Sequence, residues 1–258
     1  MNRIVSFATY PSLSGRVVLV TGGASGIGAD IVRAFSANGA KVGFFDIQMD
    51  AGRRLAEDLS GSAHAPLFLK CDLAEITALR ESVAEVKRRL GPVAVLVNNA
   101  ANDDRHRIDE VTPDYWDWSQ HVNLRPHFFT SQAVHPHMVE LGYGSIINFS
   151  SIVWRRGAGQ MVAYAAAKAG VVGLTRALAQ AFGGDNIRVN AIEPGAVITD
   201  RQRELWYKTP ESIDVMVERQ AIKKILLGEE IARTALFLAA DDSRMITKQS
   251  ITVDAGLR

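Results

Sequence analysis

Tyr164 and Lys168 stand four residues apart, with Ser151 thirteen residues before the tyrosine. Residues four apart share one face of a helix, so the lysine ammonium can act on the phenol. A free phenol, with a pKa of about 10, is a poor base at neutral pH. An adjacent cation stabilises the phenolate and lowers that value. At about 1.4 kcal/mol per unit, roughly two or three units would bring Tyr164 into working range. The chemistry this allows is removal of a proton from a substrate hydroxyl, with Ser151 polarising the same oxygen. A second motif lies upstream: Thr21-Gly22-Gly23-Ala24-Ser25-Gly26-Ile27-Gly28. Glycines in a strand-to-helix turn let the backbone approach a pyrophosphate, and the free N–H groups of the following helix attract its charge. Together the motifs imply proton removal beside a nicotinamide dinucleotide that accepts hydride.

These motifs need elements to hold them. Short apolar runs at residues 16–20, 41–45, 67–70, 93–97, 145–149, 187–192 and 250–253 read as strands. Helical patterns fall between them: from the glycine turn to residue 38, then 52–59, 76–90, 113–141 with a break near Pro126, 163–182 and 229–238. Gly39 suits the cap of the first helix. The strands are almost wholly apolar rather than alternating, as a sheet covered on both faces requires. The expectation is α/β: a single-domain doubly wound parallel sheet of Rossmann type, helices on both faces, spanning residues 1–258. Right-handed crossovers then place Ser151, just past a strand, at the carboxyl edge where ligands bind. Asp46 ends the second strand, where a carboxylate can accept from both hydroxyls of an adenosine ribose and repel a 2′-phosphate. Ile47 and Gln48 follow it, with no Arg or Lys, so NAD is favoured over NADP.

The ordered set Thr21–Gly28, Asp72, Asn98-Asn99-Ala100, Asn123, Ser151, Tyr164, Lys168 and Pro194-Gly195 resembles the short-chain dehydrogenase/reductase family, over residues 14–258. The resemblance implies cofactor contacts from Gly22, Ser25, Gly26, Ile27, Gly28, Asp46, Ile47, Asp72 and Leu73. It implies more from Asn99, Tyr164, Lys168, Pro194, Gly195, Val197 and Thr199. Asp72 would meet the adenine, Asn99 would support the floor of the site, and Lys168 would hold the nicotinamide ribose. Asn123 would be the fourth catalytic member, anchoring a water relay to the lysine; alone, it reads as a helix-bending residue. Ala101 and Ala255 stand where the family usually has glycine.

Substrate preference must come from the variable loops. Asn102-Asp103-Asp104-Arg105-His106 is a polar loop, Trp154 follows Ser151 closely, and Thr199–Gln202 opens a segment before an amphipathic helix bearing Trp206. That segment, residues 197–225, is expected to be a substrate lid. Polar groups around tryptophans suit a hydroxyl-rich ligand, with Asn102, Asp103, Ser151, Trp154, Gln160, Arg201 and Gln202 as candidate contacts. Residues 10–13, 98–106, 123–125 and 201–202 are similar to bacterial aldose 1-dehydrogenases acting on xylose, arabinose, galactose or fucose. That likeness implies oxidation of an anomeric hydroxyl to a lactone. Residues 153–156 and 159–161 are less typical, which keeps a sugar acid or a polyol open. Two other readings stand beside it: a 3-ketoacyl reductase, which Asp46 argues against, and an NAD-sensing binding protein, which the tyrosine–lysine pair argues against.

Bulk properties narrow the class. A net charge of +1 gives no reason to expect a nucleic acid or an anionic membrane as partner. No apolar run is expected to span a membrane, and residues 1–14 lack the layout of a signal peptide. The lone Cys71 fits a reducing compartment and a buried structural thiol. The expectation is a cytoplasmic protein. Small residues along 163–182 suit close helix pairing, and the family resemblance implies a homotetramer. No metal site is expected, since Pro136 between His135 and His137 argues against a regular helical ligand pair. Trp116 and Trp118 read as packing residues.

Overall fold

The computed structural model describes residues 7–257. Seven strands form one sheet: β1 (Val17–Thr21), β2 (Lys41–Asp46), β3 (Leu67–Lys70), β4 (Val95–Asn98), β5 (Gly144–Phe149), β6 (Ile187–Pro194) and β7 (Ser250–Val253). Their order is β3-β2-β1-β4-β5-β6-β7, and every pairing is parallel. The order reverses between β1 and β4, which opens a crevice at their carboxyl ends, where α/β sheets bind ligands.

Ten helices connect the strands: α1 (Gly26–Ala37), α2 (Met49–Asp58), α3 (Ile76–Leu90), α4 (Pro113–Asn123), α5 (Arg125–Leu141), α6 (Val153–Arg156), α7 (Val162–Phe182), α8 (Asp200–Leu205), α9 (Pro210–Glu218) and α10 (Gly228–Ala239). The strands are apolar on both faces because each face has its own core. Val18, Val20 and Phe44 pack with Ile31 and Phe35 of α1 and Ile231 and Leu236 of α10 on one side. Leu19, Phe45 and Leu96 pack with Val83 of α3, Met138 of α5 and Leu178 of α7 on the other. Burying one such side chain contributes about 1.5–3 kcal/mol. These two cores are what fix the crevice between them.

Several boundaries differ from the sequence reading. α2 begins at Met49 rather than at residue 52. Gly52 lies inside that helix because a Cβ there would come 2.2 Å from the Phe68 ring; it is a packing glycine, not a helix start. β6 runs on to Pro194, where a missing N–H is tolerated at the strand's end. The α4–α5 break falls at Leu124, with Pro126 in the first turn of α5, where proline is preorganised. Pro136, by contrast, does not interrupt α5. Its neighbours are held from outside: His135 meets Asp185 at 2.8 Å and stacks on Phe182, and the Val93 amide donates to His137 at 3.5 Å. α6, α8 and α9 are too short to leave a periodic signal. Ala255 adopts φ +52°, the left-handed backbone that glycine adopts without strain.

Residues Val162–Asp185 are long and apolar enough to cross a membrane, against expectation. Here α7 lies against the sheet instead, burying Ala163, Ala167, Val171, Leu178 and Ala179. Its apolar length serves to bury one polar working residue, Lys168.

Candidate active site

The glycine turn is held by its neighbours. A Cβ on Gly28 would fall 1.8 Å from the Gly22 carbonyl oxygen, and Gly22 itself has φ +63°. The Asn99 side-chain amide donates to the carbonyls of Gly22 at 2.9 Å and Thr21 at 3.1 Å. The Asn99 backbone N–H donates to Thr21 Oγ1 at 3.0 Å. The floor role implied for Asn99 thus has a physical form: it ties β4 to the turn. Asp46 is 8 % exposed and accepts from the amides of Ala24 and Gln48, each at 3.0 Å. Burial with two amide donors keeps that carboxylate fixed at the end of β2.

A cavity of about 1390 Å³ runs along the carboxyl edge of the sheet. All sixteen residues expected to contact the cofactor line it, from Gly22 and Asp46 to Val197 and Thr199. Ser151, Tyr164 and Lys168 line its other part, with Asn102, Asp103, Gln160, Arg201 and Gln202. A dinucleotide therefore fits the residues present: a glycine-rich turn, a helix N-terminus behind it, and a carboxylate at the far end. Cys71 is buried at 3 % exposure, and burial raises its pKa, as expected of a structural thiol.

Ser151 lies two residues past β5. Its Oγ accepts from the Val153 amide at 3.2 Å and shares a hydrogen bond with the Tyr164 phenol. One turn along α7, Lys168 is 1 % exposed; its Nζ donates to the Phe149 carbonyl at 2.8 Å and lies 5.5 Å from the centre of the Tyr164 ring. Behind these residues Asn98 Nδ2 donates to Asn148 Oδ1 at 2.9 Å, and Asn148 donates to Thr175 Oγ1 at 3.0 Å. That chain ties β4, β5 and α7 into one rigid support.

The ionisation of the pair departs from the sequence argument. Burial, and then the negative charge of Asp103, push the Tyr164 phenol above its usual value, against the bond from Ser151. Burial drops Lys168 to about 7, opposed by Asp103. The cause is common to both: a dry site disfavours any charge. A lysine that is itself easily deprotonated is a weaker source of field than the solvated ammonium the spacing suggested.

Two further candidates stand back from the cavity wall. Asn123 is fully buried and does not line the cavity. Its Oδ1 accepts from the Asn102 amide at 2.8 Å and its Nδ2 donates to Ser119 Oγ, so it braces the loop after β4. Trp154 is also off the cavity wall, because its ring packs under the Arg155 guanidinium at 4.3 Å. Arg155 in turn grips Glu193 on β6, at 2.5 and 3.0 Å, and the Glu193 side chain has no exposure. This pair, a buried carboxylate met by a partly exposed guanidinium, locks α6 to the strand that carries Pro194.

The aromatic wall comes from residues the sequence reading did not assign to the site. Trp118 of α4 lines the cavity rather than packing in the core; Trp206 and Tyr207 join it. Trp206 caps α8 instead of lying within a longer helix, and Arg105 stacks on its ring at 4.1 Å. The available signal was two aromatic clusters, Tyr115-Trp116-Asp117-Trp118 after the polar loop and Trp206-Tyr207 after Gln202.

A parallel doubly wound sheet with a glycine turn at its switch point and a Ser–Tyr–Lys set on the same crevice defines a dinucleotide-dependent oxidoreductase. Comparison with known proteins places it further. The family model described as enoyl-(acyl carrier protein) reductase matches residues 22–258. The chain is 48 % identical over 249 residues to the "Probable galactose dehydrogenase GalD" of Rhizobium meliloti, covering 96 % of this chain and 97 % of the relative. It is 46 % identical over 254 residues to the D-xylose 1-dehydrogenase of Caulobacter vibrioides, covering 98 % and 100 %. A blue fluorescent protein from a metagenomic library, solved in complex with NADPH, superposes with a TM-score of 0.87 at 32 % identity, covering 95 % of this chain and 99 % of that one. The chain belongs to the short-chain dehydrogenase/reductase family and is an oxidoreductase acting on CH–OH groups.

Proposed function

We propose that this protein oxidises a hydroxyl of a sugar, with the anomeric hydroxyl of an aldose giving a lactone as the favoured reaction and NAD as the acceptor. One observation carries the reading: a single cavity joins the glycine turn to Ser151, Tyr164 and Lys168, and its wall also brings Asn102, Asp103, Gln160, Arg201 and Gln202 together with Trp118 and Trp206. Sugars present hydroxyls at their edges and apolar C–H faces to aromatic rings, which matches such a wall. The names of the galactose and xylose relatives support the same class.

When bound, the dinucleotide supplies the hydride acceptor and a positive ring. Ser151 donates to the reacting oxygen. Tyr164 takes the hydroxyl proton as the carbon–hydrogen bonding pair leaves, so the C–O single bond becomes a carbonyl. Lys168 holds the nicotinamide ribose and adds field to the phenol whenever it is protonated. Asp46 supports NAD over NADP, since a fixed carboxylate repels a 2′-phosphate and neither Ile47 nor Gln48 offsets it. α8 and α9 serve as the lid, excluding water around the reacting carbon.

The test is NADH formation across pentoses, hexoses, deoxyhexoses, polyols and sugar acids at one pH, with NAD and NADP affinities measured in parallel. Turnover of an aldose with NAD supports the reading. Saturable NAD binding with no turnover of any substrate replaces it with a sensing role, and preference for a polyol or a sugar acid moves the substrate.

A further inference from the structure

The loop after β4 is pinned on several sides. The Asn102 amide donates to Asn123 Oδ1 at 2.8 Å, and the Asp104 amide to Asn102 Oδ1 at 2.9 Å. The His106 amide donates to the Gln160 carbonyl at 2.9 Å. Between these anchors sits Asp103, on the cavity wall and only 26 % exposed at its side chain. Gln202 of α8 donates to its Oδ2 at 2.6 Å. Arg201 stands 3.5 Å from Oδ1 but gives its closer contact, 2.6 Å, to Asp104. An ionised carboxylate offers about four acceptor positions, so Asp103 keeps free lone pairs after these contacts.

Its placement works against ionisation of the phenol. The charged and titratable groups around it are Asp104 and Arg105 on its own loop, Arg201 from α8, and Tyr164 and Lys168 from α7. A negative charge facing the phenol opposes phenolate formation. A hydrogen bond donated to Asp103 by bound substrate would draw that charge away from the phenol, so the same contact both recognises the ligand and eases ionisation of the base.

We propose that Asp103 is the specificity-determining residue of this site: it accepts a hydrogen bond from a second substrate hydroxyl, beside the one oxidised, and Gln202 of α8 orients it. The substrate class is thereby narrowed to polyhydroxylated molecules, and simple alcohols are excluded. This rests on the sugar-oxidising reading above.

The experiment measures kcat/KM and its pH profile for the best aldose and for each of its mono-deoxy analogues, in wild type, Asp103→Ala, Asp103→Asn and Gln202→Ala. A charge-assisted hydrogen bond sets the scale at roughly ten- to hundredfold. The expected result is that one deoxy analogue loses at least about tenfold in wild type and that this ratio falls to about unity in Asp103→Ala and partway in Gln202→Ala. The acid limb of the profile moves to lower pH in Asp103→Asn, because removing the negative charge lets the phenol ionise more readily; a merely structural residue would not move it. Melting temperature and NADH binding verify folding, and Asp103→Asn carries the ratio test if the alanine variant does not fold. A ratio unchanged in a folded Asp103 variant, or a wild type indifferent to every deoxy analogue, overturns the assignment alone. A wild type that oxidises no sugar overturns the function it rests on as well.

Discussion

Replacing Lys168 with Met makes the protein inactive and more stable. Lys168 is almost fully buried, and its Nζ donates to the Phe149 carbonyl. Its pKa falls from 10.5 to about 7 on folding. The unfolded chain therefore binds the extra proton across that window, and stability rises with pH between about 7 and 10.5. Below about pH 7 the full penalty is present. At about 1.4 kcal/mol per pH unit the window amounts to about 5 kcal/mol. Methionine fills a similar volume without charge but strands the Phe149 carbonyl, which costs about 1–3 kcal/mol. The net gain at pH 6 is about 2–4 kcal/mol, or upwards of about 5 °C in Tm for a chain of this size. Tyr164 bends the curve the other way: its phenol stays protonated in the fold while the unfolded side chain ionises near 10.0, so wild-type stability declines above that pH. The assay is urea unfolding followed by tryptophan fluorescence from pH 6 to 9.5 in both proteins. The expected result is a wild-type curve whose rise above about pH 7 is missing from the variant. Parallel curves would refute the reasoning, because they would mean that the ammonium is solvated or already compensated in the fold.

Tyr164→Phe removes the proton acceptor and its bond with Ser151 but keeps the ring, so kcat falls by about 10²–10⁴ while NADH still binds, as fluorescence titration reads directly. Glu193→Gln leaves the partly exposed Arg155 guanidinium against a neutral amide; urea unfolding should report a loss of about 1–2 kcal/mol. Asp46→Ala removes the charge at the end of β2, and the ratio of NADP to NAD dissociation constants should fall about tenfold or more. An unchanged ratio would remove Asp46 from the cofactor argument.

The sequence by itself determined the sheet, the crevice and the dinucleotide end of the cavity. Those features are written in local pattern: continuous apolar runs make strands buried on both faces, and a glycine turn between a strand and a helix has few other uses. Tyr164 and Lys168 were legible for the same reason, since spacing on one helix is a local property. Tertiary structure decided what no spacing encodes. Gly52 could be read as a packing glycine only once Phe68 lay across it, and that α5 runs through Pro136, with His135 and His137 held by Asp185 and Val93, could be read only from the fold. Trp118 and Trp206 joined the cavity while Trp154 left it, because ring direction follows from packing rather than position. Above all, the ionisation of the catalytic pair was set by burial: the sequence supplies a base and a cation, but whether each carries its charge depends on how much water the surrounding fold has removed.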